Sequence, residues 1–148
     1  MSTIETLRDN IKTRVTSVLG ASYSEAPYGI DFLKNTQKGS SKIYAVVPQN
    51  IANSTTVTRS ITYDQEFQVK FADTYINTSM SDTLQQSTSI VLLELAKDLF
   101  KDLVNTKCGS PAICLNVTDL EVQEPIHEDK SKMIIIEMSF LIKYRELI

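Results

Sequence analysis

A chain of 148 residues and 16.6 kDa fits one domain, and at that length folding hides ~70% of the surface the unfolded chain exposes. Hydrophobic residues at 42% and charged residues at 22% describe an ordinary soluble globular protein and exclude a disordered or fibrous one. Fifteen basic against eighteen acidic side chains leave a net charge of -3, without the basic excess by which free-standing nucleic-acid binders neutralise phosphates.

The first helix is predicted over Thr3–Leu19. Ile4, Leu7, Ile11, Val15, Val18 and Leu19 recur at steps of three and four, which puts one apolar stripe on a helical period. Ser2 or Thr3 serves as N-cap with Glu5 or Thr6 behind it, and Gly20 stands where a C-terminal cap belongs. The pattern then disappears through Gly20–Ser41, a long connection with Pro27, Gly29 and Gly39 and room for a short element near Ile30–Leu33. Ile43–Val47 reads as a short strand ended by Pro48.

Val57, Ile61, Tyr63, Phe67, Val69 and Phe71 share one parity, with polar residues between them. A two-residue period sustained this far spells a strand much longer than the usual five or six residues. Arg59 and Gln65 interrupt its apolar face, which suggests that part of the face lies outside the core. Together the two runs form a hairpin over Ile43–Ala72 with an overlong second arm.

A second helix follows over Ser79–Val104, striped by Leu92, Leu95, Leu99 and Leu103, with Lys97, Asp98, Lys101 and Asp102 on the wet face. A strand over Ala112–Glu124 changes apolar parity between Val117 and Leu120, the signature of a bulge. Pro125–Lys130 reads as a polar turn and Lys132–Arg145 as the last strand. Its start, Met133–Ile136, is apolar on both faces and therefore central. The expected architecture is a single α+β domain: an antiparallel or mixed sheet of four to five strands with a long β-hairpin, packed by two helices on one face.

Reactive chemistry is hard to assemble from these residues. His127 lies alone in a polar turn, without the orienting partner and nucleophile that a general base needs. Cys108 and Cys114 are five residues apart, which fits neither a zinc knuckle nor a redox pair, and they are expected as reduced thiols. Asp119, Glu121, Glu124, Glu128 and Asp129 lack the glycine of a calcium loop and read as a solvated strand end and turn. No GxSxG, GxGxxG or HExxH occurs. No enzyme activity, cofactor or metal is expected. The N-terminus carries no signal-peptide pattern and no apolar run approaches the ~20 residues of a membrane span, so no membrane role is expected and assembly is placed in the cytoplasm.

The order helix, long hairpin, helix, strand pair resembles the tail terminator (tail-completion) family of long-tailed bacteriophages. The resemblance spans Thr3–Leu19, Ile43–Ala72, Ser79–Val104 and Ala112–Arg145 and includes the polar-apolar passage from Arg59 to Val69. It implies a virion protein that forms a homo-hexameric ring on the head-proximal end of the tail tube, stops tube polymerisation and offers a docking surface to head-completion or neck proteins. Its implied partners are a second copy of itself, the tube protein, the neck protein and, in a contractile tail, the sheath protein. DNA only passes through the lumen, and a mildly negative lumen lets it slide. The subunit interface is expected at Arg59, Tyr63, Gln65 and Phe67. Two other readings stay open: another neck, connector or tube component, and a dimeric regulatory α+β domain that binds a small molecule.

Overall fold

The structure, a computed structural model, describes residues 2–26, 42–74, 82–128 and 133–148. The expected element near Ile30–Leu33 and the start of the second helix at Ser79 lie outside the described residues. Helix α1 spans Thr3–Leu19. Ser2 and Glu5 close a reciprocal capping box at its start, and Gly20 ends it at φ 102, a conformation that costs glycine least. Strand β1 (Ser24–Glu25) and the long strands β2 (Lys42–Val57) and β3 (Ser60–Thr74) follow. Helix α2 covers Asp82–Thr106 and runs into a 3-10 turn over Lys107–Gly109. Strands β4 (Cys114–Val122), β5 (Ile126–Glu128) and β6 (Met133–Leu147) complete the chain.

The six strands form one mixed sheet in the order β1-β2-β3-β6-β4, with β5 beside β6 as well. Only β1 and β2 run parallel. Strand β6 is central: β3 pairs with it from Ser60↔Leu147 to Thr74↔Met133, while β4 and β5 share its other side. The all-apolar start of β6 follows from this position. Ile134 and Ile136 enter the core under the helices, and Met133 and Ile135 join Ile43, Ala45, Val47 and Ala72 in a smaller cluster on the opposite face.

Both helices pack on one face. Leu7, Ile11 and Val15 of α1 and Leu92, Ala96, Leu99 and Leu103 of α2 close over Phe67, Val69, Phe71, Met138, Phe140 and Ile142. Each of these side chains except Ala96 contributes roughly 1.5–3 kcal/mol when fully buried. The helices are also locked to each other. Arg14 donates from Nε and Nη2 to the two carboxylate oxygens of Asp102 at 2.7 and 2.6 Å, and Asn10 donates to the hydroxyl of Ser110. Asp102 thus leaves the wet-face role expected of it and ties α2 to α1.

The hairpin differs from expectation at its turn. Strand β2 does not stop at Pro48 but continues to Val57, and the chain reverses at Thr58 and Arg59, where Arg59 takes φ 69. Pro48 is tolerated because an edge strand has outward amides with no ladder bond to lose. Its polar continuation, Gln49–Thr56, shows no alternation because every residue from Pro48 to Val57 is exposed and no face has to be apolar. The polar turn expected at Pro125–Lys130 contains β5, a three-residue strand too short to leave a period. The bulge expected in β4 is present: Asp119 adopts φ 60 where two residues, Asp119 and Leu120, oppose the single Phe140 on β6.

Candidate functional site

The sheet separates into a body and an arm. Over the body, helices cover one face and a smaller apolar cluster lies on the other. Beyond Pro48 the strands β2, β3 and β6 continue side by side as an arm that β4 flanks as far as Tyr144 and that ends at Thr58, Arg59 and Leu147. Ten successive residues of β2 span about 33 Å of extended chain. Among the described residues β1 pairs only with Ile43 and Tyr44, so the outer edge of β2 is open along the arm.

Two bulges mark where body becomes arm. The register shifts between Pro48 and Ile51 and again between Ile51 and Asn53, each adding one residue on β2. Gln65 sits opposite this irregularity. Its amide donates to the carbonyl of Gln49 at 2.7 Å and to that of Glu66 at 2.8 Å, so it satisfies a backbone oxygen that the bulge removes from the ladder. Its Oε1 has no partner among the described residues. Gln65 therefore interrupts the apolar face for a structural reason and is 1% exposed.

The four residues expected at a subunit interface separate accordingly. Arg59 is exposed at the arm tip. Tyr63 is half-buried and leans on Tyr144, ring centroids 5.4 Å apart, on the helix-side face of the arm. Phe67 is 0% exposed inside the core, and Asp placed there would unfold the chain. Gln65 and Phe67 are enclosed within the chain.

On the helix-free face the arm and the middle of the sheet are polar. Asp64 faces Lys143 at 3.9 Å and Lys70 faces Glu137 at 3.9 Å, a ladder of opposite charges across β3 and β6. Glu66, Asp119 and Glu121 border a shallow hollow of ≈ 240 Å³ on this face. Glu124 lies elsewhere, so the sheet divides the acidic cluster; the side chain of Glu128 and all of Asp129 lie outside what is described. Among the described residues no group of three or more His, Cys, Asp or Glu is placed to hold a metal ion. No helix is long and apolar enough to cross a membrane among the described residues.

A second surface lies at the other end of the sheet. Gln86, Ser89, Ile90 and Leu93 of α2, with Glu124 and with His127 of β5, line a cleft of ≈ 540 Å³. His127 is exposed there and has no nucleophile in its cleft beyond the Ser89 hydroxyl. Ile90 is 60% exposed. None of the polar side chains in the cleft is buried, whereas a site that orients a small ligand fixes its polar groups inside the pocket. Cys108 and Cys114 are free and buried side by side under the helices. The Cys108 thiol donates to Cys114, which with burial holds it well above the usual thiol range, while accepting that bond lowers Cys114. Both are shielded from substrates.

No protein-family description matches the chain, and no curated protein does. Among solved structures, a chain of "Virion of native gene transfer agent (GTA) particle" is similar at 10% identity and a TM-score of 0.44, over 94% of each chain. A likeness at that score carries no functional conclusion. Fold and surface define a small α+β domain whose distinctive feature is a projecting sheet arm.

Proposed function

We propose that the protein is a structural subunit of a tailed-phage particle, a tail terminator that closes as a homo-hexameric ring on the head-proximal end of the tail tube. The arm carries this reading. A 16-residue strand whose last ten residues are exposed, paired throughout with β3, makes surface that the body of one subunit does not cover. Open strand edges invite pairing with another chain, and a protein that stays monomeric blunts them. A ring places each arm against a neighbour and leaves no edge free.

The mechanism is geometric. One ring face copies the stacking surface of the tube and the opposite face cannot accept another tube subunit, so polymerisation stops and the neck protein finds a docking surface. No catalytic group is required, in keeping with the exposed His127, the buried cysteines and the divided acidic cluster. The helix-free sheet face, with its paired charges, suits a surface past which DNA slides, because opposite charges in ladder contact present little net field.

The test is density from assembled tails. A six-fold ring of this chain at the head-proximal end is expected; density for it elsewhere in the particle, or none, overturns the assignment.

A further inference from the structure

Two exposed apolar surfaces sit at opposite ends of the sheet. At the arm tip Val57 and Leu147 flank Ser60 from either side in the ladder and are 57% and 85% exposed. Arg59 stands beside them in the turn. At the far end Ile90 and Leu93 form the apolar wall of the cleft, with Glu124 and His127 opposite. His127 pairs with Ile134 and the tip with Leu147, so roughly 40 Å of strand separates the two surfaces. They cannot meet within one chain.

We infer that the arm tip of one copy docks into the α2–β5 cleft of the next copy, with Val57 and Leu147 on Ile90 and Leu93 and with Arg59 on Glu124. The occupant is a second copy for three reasons. The cleft, of ≈ 540 Å³, joins the apolar Ile90 and Leu93 to the acidic Glu124. The tip presents apolar side chains to the apolar wall, and its exposed cation meets an exposed carboxylate at the rim, a pairing that fixes register more than it adds affinity. The two surfaces also differ from each other, so the contact is heterologous and repeats from copy to copy until the rotation closes it. This deepens the ring reading and rests on it, by naming which surfaces of neighbouring subunits touch.

The experiment uses the full chain, concentrated and also bound to tail tubes, under a mild thiol oxidant. Arg59→Cys and Gln86→Cys are prepared separately and together; Cys108 and Cys114 are buried and do not compete. Mixing the two single variants should give disulfide-linked dimers that neither gives alone, and the double variant should give a ladder of linked copies. Dimers from Arg59→Cys alone mean a tip-to-tip contact and overturn the proposal, as does failure to cross-link in both settings. Val57→Asp in the double variant should abolish the ladder, and unchanged melting shows that the fold survives. Arg59→Glu should weaken tube-bound assembly about fivefold, the scale of one exposed ion pair, and Glu124→Arg in the same chain should restore it. No recovery overturns the Arg59–Glu124 pairing. Cross-linking without a head-proximal ring leaves this contact standing and removes the terminator reading; the ring without cross-linking does the reverse.

Discussion

Arg14 shows how much a single side chain can decide. It lies off the apolar stripe of α1 and reads in the sequence as one more solvated cation, yet its guanidinium grips both oxygens of Asp102 from across the helix pair. Nothing in a one-dimensional pattern marks a partner 88 positions away. Bidentate, charge-assisted bonds on partly shielded groups are among the stronger polar contacts, so Arg14→Ala should cost about 1–2 kcal/mol and lower the melting temperature by a few degrees in calorimetry. Gly109 is under a second constraint at the same corner. It holds φ +69, and an added Cβ would sit 3.4 Å from Cδ of Arg14, so Gly109→Ala should cost about 1 kcal/mol in backbone strain. Tyr23 gives the molecule a pH dependence. Burial, then the charge of Asp73, holds its phenol above the ordinary 10.0. The folded chain therefore keeps a proton that the unfolded chain releases, and this stability is intact below pH 10 and lost as pH rises beyond it. Urea midpoints should fall above pH 10, and the fall should be shallower in Tyr23→Phe. Equal slopes in the two proteins would show that burial of Tyr23 contributes nothing.

Elements are legible in sequence where one face is buried and illegible where none is. Helix α1 is expected and found at Thr3–Leu19, and its cap resolves to Ser2 with Glu5. The β4 bulge is visible because the apolar parity changes between Val117 and Leu120, whereas the second shift, between Cys114 and Asn116, leaves Leu115 exposed and is not announced. The second half of β2 is hidden because alternation is the imprint of a buried face, and Gln49–Thr56 has none. The reversal at Thr58 and Arg59 lacks the Asn-Gly or Asp-Gly chemistry that announces a tight hairpin. The residues expected at an interface show the same limit: Phe67 belongs to the long apolar period, and that period is the core's own, whereas Arg59 is exposed at the arm tip and Tyr63 is half-buried. Strand placement yields a paired test. Ile135 is 1% exposed in the smaller cluster on the helix-free face, so Ile135→Asp buries an unpaired charge and should cost about 4 kcal/mol or more. Thr62 is half-buried in the arm opposite Arg145, so Thr62→Asp gains a cross-strand cation and should melt within a degree or two of the parent. Similar melting temperatures for the two variants would contradict this face assignment.

At the scale of the whole molecule, body and arm have separate tasks. The body holds the smaller apolar cluster and most of the larger one, which runs on into the arm through Ile142 and Tyr144 where β4 still flanks β6; past Tyr144 the arm is a three-stranded extension. Stability and assembly should therefore respond to different changes. Thr55 pairs with Thr62 and Thr56 with Ile61, so excising these four residues removes two rows from β2 and β3 and brings Ser54–Tyr63 next to Val57–Ser60. Side-chain parity survives, since a shift of two residues leaves each face where it was, and the turn at Thr58 and Arg59 is untouched. The arm loses about 7 Å. No residue of the larger core leaves, so the shortened chain should fold, keep the far-UV and near-UV circular dichroism of the parent, and melt within a few degrees of it. On the proposed ring reading, its tip should no longer reach a neighbour, and tails assembled with it should fail to join heads. Joining at parental levels by a stably folded short-arm chain would show that arm length is irrelevant to assembly, and the reading of the arm as the inter-subunit element would have to be abandoned.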